Sequence, residues 1–141
     1  MEDKEIGHDA IESAKRWLNS ARINASAGSY DAALYSLEMS VEIALKALLL
    51  SLGIEVPKTH SIGDLVIESV RDNKRLPKEL AQNVDKIVGL FNSLAALRPV
   101  SGYIFETKSS LKDLKVKYDK YADEAEAVIE MCGKAVKSAS R

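Results

Sequence analysis

Residues 30–60 read YDAALYSLEMSVEIALKALLLSLGIEVPKTH, and this stretch decides the fold. Apolar side chains fall at Leu34, Leu37, Val41, Leu45, Leu48 and Leu52, a helical spacing. Tyr35, Ile43, Ala47 and Leu50 spill onto the other faces. A surface helix carries one apolar stripe, whereas a helix apolar round most of its circumference is covered on several sides. Tyr30 to about Leu52 therefore reads as the central helix of a bundle, opened by the Gly28-Ser29 turn and stopped by Gly53 and Pro57.

Upstream, Ile11, Ala14, Trp17, Leu18, Ala21 and Ala25 form one stripe from about Asp9 to Ala27, with Asp9 as N-cap and Gly28 as the stop. So short a turn makes the first two helices antiparallel neighbours. Downstream, Thr59 or Ser61 can cap a short helix with stripe Ile62, Leu65, Val66 and Val70. Pro77 suits the first turn of a fourth helix, whose stripe runs Leu80, Val84, Ile87, Val88, Phe91, Leu94 and Ala95. Arg98-Pro99 ends it, because the residue before proline is pushed from the helical region. Val100 to Lys115 reads as irregular, and a last helix from about Val116 to Ser138 carries Tyr118, Tyr121, Ala125, Val128, Ile129, Cys132 and Val136. The expectation is an all-α up-and-down bundle of four longer helices and one short one, a single domain over residues 1–141.

The totals agree with that reading and narrow the function. A chain of 141 residues is long enough for a real core, and a formal net charge of −1 gives no global pull towards nucleic acid or membrane. Cys132 is the sole cysteine, so no internal disulfide forms. The charged N-terminus has no secretory character, and the apolar run Ile43–Leu50 is broken by Lys46 and too short to span a bilayer. A cytoplasmic protein is expected.

Several residues carry a further resemblance. Gly28-Ser29-Tyr30-Asp31-Ala32-Ala33 leads into the central helix, which continues as Glu42-Ile43-Ala44-Leu45-Lys46-Ala47-Leu48-Leu49. Gly53 follows, then Lys58-Thr59-His60-Ser61-Ile62, and Arg98 after the fourth helix. In this the chain resembles the HEPN family, helical domains named for higher eukaryotes and prokaryotes and for nucleotide binding. The resemblance implies a five-helix bundle, usually a homodimer, often beside a nucleotidyltransferase-type protein in a toxin–antitoxin or nucleotide-handling pair. Catalytic members of the wider superfamily are metal-independent ribonucleases with an Arg and a His four to six residues apart.

That pattern fails here. Arg98 stands in the expected place, but the positions four to six residues on are Gly102, Tyr103 and Ile104. Ribonuclease chemistry asks for an arginine to stabilise phosphate charge and a histidine to move the 2′-hydroxyl proton, and tyrosine is a poor base at neutral pH. The alternative for Arg98 is a helix-terminal arginine meeting the last carbonyls. The reading leans away from an enzyme, with Arg98, Tyr103 and His60 as the catalytic candidates.

The ligand-binding candidates are Lys46, Lys58, His60, Arg98, Lys108 and Lys112. His60 can serve as a base or phosphate contact, or lock the Pro57–Ile62 loop. Lys46 follows Glu42 by four residues, an order suited to an ion pair. Lysines 108, 112, 115, 117 and 120 make the best local basic patch for a nucleotide or RNA, against the plain reading of a solvated face. Tyr103-Ile104-Phe105 either folds back over the bundle end or meets a partner, and Cys132 reads as core. No metal or cofactor is expected, since His8, His60 and one cysteine offer no ligand spacing. The favoured function is a non-catalytic dimeric module working with a nucleotidyltransferase-type partner. The rivals are a ribonuclease toxin with a degenerate motif and a nucleotide-sensing or scaffold bundle.

Overall fold

The computed structural model describes residues 2–139. Among them the chain is helical without strands: α1 (Glu2–Ser26), α2 (Tyr30–Ser51), α3 (Gly63–Val70), α4 (Lys78–Ala96), α5 (Arg98–Gly102) and α6 (Leu111–Ala139), with a 3₁₀ turn at Ile104–Glu106. The four long helices and short α3 are the bundle expected from apolar periodicity. α5 is an added single turn.

α2 lies at the centre. Leu37, Val41, Ala44, Leu45, Ala47, Leu48 and Leu49 have no exposed surface at all, and buried Ser40 and Ser51 return their hydroxyl protons to Leu37 and Leu48 carbonyls. Both ends of the α1–α2 and α2–α3 connections close alike. Gly28 and Gly53 adopt φ of 81° and 75°, and each is followed by a residue whose N–H reaches back five positions: Ser29 to Asn24 and Ile54 to Leu49. A glycine without Cβ takes that left-handed step freely, so the last carbonyls of both helices are satisfied.

α1 lies antiparallel on α2, with the Trp17 ring edge-on to Tyr35 at 6.3 Å between centroids. α6 returns along both, pairing Glu126 with Arg22 of α1 and placing Tyr118 6.0 Å from Tyr30 of α2. α3 and α4 form the remaining antiparallel pair, tied by Arg71–Asp85 at 2.7 Å. Cys132 is wholly buried on α6, and burial pushes its thiol up to about 12.

Several boundaries differ from the periodicity reading. Asp9 is interior to α1, because a helix once nucleated extends through polar residues that carry no stripe. Pro77 is the N-cap of α4 rather than a first-turn residue, and the cap of α3 is Ile62 without side-chain help from Thr59 or Ser61. The segment Val100–Lys115 is not irregular throughout. Pro99, which ends one helix at Leu97, is tolerated in the first turn of the next, so α5 starts immediately. α6 begins at Leu111 because Ser110 and Asp113 cap it reciprocally: Asp113 N–H to Ser110 Oγ at 3.2 Å and Ser110 N–H to Asp113 Oδ2 at 3.0 Å.

Candidate functional site

The apolar circumference of α2 is interrupted by two carboxylates one turn apart. Glu38 and Glu42 each keep only 2% of their side-chain surface exposed. Two like charges at this spacing repel and each loses its water, so cations must reach them from elsewhere in the fold.

Three do. Arg98, the first residue of α5, donates from Nη2 to Glu38 Oε1 and, at 3.1 Å, to Glu42 Oε1. His60, in the loop before α3, places Nδ1 2.7 Å from the same Glu42 Oε1. Lys46, one turn further along α2, donates to Glu42 Oε2 at 3.1 Å. The start of α5, the loop before α3 and α2 itself thus converge on one side chain.

The electrostatics separate the two carboxylates. Burial pushes Glu38 above its ordinary value of 4.5, aided by the neighbouring Glu42 and only partly offset by Arg98. Burial also acts on Glu42, but hydrogen bonds from His60 and Lys46 outweigh it and hold Glu42 below 4.5. Like charges sharing a site divide in this way, one keeping its proton more readily than the other. For Arg98, burial is outweighed by Glu38 and Glu42, and its guanidinium is held above its ordinary value. An ionised carboxylate only accepts, so Nδ1 of His60 carries the hydrogen. Its ring is 60% exposed, which leaves Nε2 on the solvent side. A shallow cleft of about 280 Å³ adjoins it, lined by His60, Ser61, Gly63, Asp64, Asn92 and Ala95.

Of the residues singled out from sequence, the fold brings Lys46, His60 and Arg98 together and leaves the others apart. The Lys46–Glu42 pair forms at the expected spacing. Arg98 does not meet the carbonyls ending α4; it turns to the α2 carboxylates, whose full charges attract it more strongly than a helix end. Lys58 is exposed in the loop beside His60, and Lys108 and Lys112 are exposed before and within the start of α6. Within that basic run, Lys115 pairs with Asp119 at 2.8 Å and lies over the Tyr30 ring, and Lys120 lies over Tyr121. Tyr103-Ile104-Phe105 splits: Ile104 packs against the core, while Tyr103 and Phe105 are 58% and 78% exposed with rings 6.2 Å apart. Among the described residues no group of three or more His, Cys, Asp or Glu could hold a metal, and no helix is long and apolar enough to cross a membrane.

Glu38 is the member of this cluster that the sequence pattern did not single out. Its signal was available, since a glutamate one turn from another on an apolar helix demands a remote cation.

Comparison with known proteins adds one finding. The HEPN domain family model matches residues 8–140, nearly the whole chain. No curated protein and no solved structure matches it.

Proposed function

The chain belongs to the HEPN domain family, and from that premise we propose that it is a non-catalytic helical module, one domain over residues 1–141, acting in the cytoplasm. It self-associates and works with a nucleotidyltransferase-type protein in a toxin–antitoxin or nucleotide-binding setting.

The observation carrying this reading is the state of Arg98. Its Nη2 is committed to two buried carboxylates, and the side chain where a base would follow it, Tyr103, stands out in solvent. An arginine already neutralised in this way has little charge left for a phosphate in its transition state. Arg98 instead holds α5 against α2, and the following turn presents Tyr103 and Phe105, aromatic groups of the kind enriched in protein interfaces.

Incubating the purified protein with RNA in the absence of metal is the test. The RNA should remain intact, and cleavage that disappears in Arg98→Ala overturns the non-catalytic reading. Size-exclusion with light scattering should give a dimer mass, and a clean monomer at micromolar concentration refutes self-association. Co-expression with a nucleotidyltransferase-type protein encoded beside it should yield a complex.

A second reading has one specific support. His60 is oriented by buried Glu42 with Arg98 on the same oxygen, so a histidine, an arginine and an aligning carboxylate do meet, though from different segments than the superfamily pattern uses. Cleavage abolished by His60→Ala would establish this reading in place of the first.

A further inference from the structure

Two polar atoms of the cluster lack a hydrogen-bond partner although neither reaches solvent: Oε2 of Glu38 and Nε of Arg98. One is an acceptor and the other a donor, and they belong to side chains already joined through Glu38 Oε1 and Arg98 Nη2. Nε and Nη2 make one edge of a guanidinium, and that edge fits the two oxygens of a single carboxylate as a fork. Arg98 uses half of the fork. Its Nη2 is drawn aside by Glu42 Oε1, which it reaches at 3.1 Å.

Glu42 Oε1 is contested. His60 Nδ1 approaches the same atom at 2.7 Å, while Lys46 occupies Oε2. Two donors on one oxygen share its lone-pair density, so a stronger hold by one weakens the other. Buried orphan groups are costly, and forking onto Glu38 would satisfy both at once. The bridge persists only while Glu42 still rewards it.

We propose that Arg98 has two settings, a bridge between Glu38 and Glu42 and a fork on Glu38 alone, and that the competition of His60 for Glu42 decides between them. Because Arg98 opens α5, the two settings place that turn differently against α2. The His60 cleft is thereby coupled to the surface bearing Tyr103 and Phe105. A ligand that draws His60 into the cleft strengthens the bridge; one that presses His60 onto Glu42 favours the fork. The switch goes beyond the proposed function and is measured on the protein alone, so it stands or falls apart from the RNA and partner assays.

The probe is the Arg98 Nε–H resonance in NMR spectra, assigned by its loss in Arg98→Lys. Glu42→Gln weakens the bridge, and the resonance should move downfield as Nε bonds Glu38. His60→Ala, at an exposed ring, frees Oε1 for Arg98 and should not produce that shift. Hydrogen exchange at the amides of Ser101 in α5 and of Tyr103 just after it should differ between the two variants while α4 amides stay equal. A resonance identical in the wild type and both variants overturns the switch, as does a change in exchange spread evenly over the bundle. Should Glu42→Gln fail to fold, Glu38→Gln replaces it, with the opposite expectation: the fork loses its anion and Nε–H moves upfield, and a resonance that does not move overturns the switch.

Discussion

His60 and Arg98 donate to one and the same oxygen of Glu42, at 2.7 Å and 3.1 Å. One segment comes from the loop before α3 and the other from the start of α5, so a single carboxylate on α2 fastens two pieces of chain far apart in sequence.

Removing the arginine should therefore be expensive. Arg98→Ala leaves Glu38 and Glu42 buried without their shared cation, and breaking a buried pair in this way costs about 3–5 kcal/mol. Arg98 keeps 25% of its side chain exposed, so about 3 kcal/mol is expected in urea unfolding. Adding Glu38→Gln to it should recover part of the loss, because the orphaned charge is then gone.

The two carboxylates should tilt stability in opposite directions with pH. Glu42 is held below its ordinary value of 4.5, so its contribution is complete above 4.5 and lost as pH falls through the lower folded value. Glu38 is held above 4.5, so its contribution is complete below 4.5 and lost as pH rises through the raised value. Melting temperature against pH should fall off on both sides. Glu42→Gln should flatten the acid side and Glu38→Gln the upper side; curves unchanged in both variants would contradict the assignment.

Gly63→Ala tests how α3 seats on α4. A Cβ at this position would stand 2.8 Å from Val88 Cγ1, and Val88 is itself only 3% exposed. Overpacking of this kind costs about 1–3 kcal/mol. Coupling Gly63→Ala with Val88→Ala should cost less than the sum of the two single changes, as a double-mutant cycle will measure.

Cys132 should be inert in the native protein. It is fully buried and its thiol is pushed up to about 12, so thiolate is scarce and unreachable. A thiol reagent should label it only as fast as the bundle opens, with the rate rising in denaturant.

Tyr103→Ser with Phe105→Ser should separate surface from scaffold. Both rings are exposed, so unfolding should shift by no more than about 0.5 kcal/mol. The association measured by light scattering or partner pull-down should weaken.

The bundle was legible because its information is local. The apolar circumference of α2, the stops at Gly28 and Gly53 and the stripe of α4 all express periodicity within one segment. The Lys46–Glu42 pair was legible for the same reason, being one helical turn in length. The meeting of His60 and Arg98 was not, because nothing in either segment encodes which buried carboxylate it will find. Ser110-Leu111-Lys112-Asp113 is a different case: its capping box is a local signal, and a lysine-rich run masked it as loop.

The buried position of Glu42 has a consequence for how the chain assembles. An ion with several donors can shed its water cheaply only when those donors are in place, so the centre of α2 stays wet until α5 and the loop before α3 arrive. The hairpin of α1 and α2 and the return of α6 can form beforehand, around mainly apolar contacts. Drying of Glu42 is then expected to come last in folding, and native-state hydrogen exchange should find these two segments opening before the rest of the bundle.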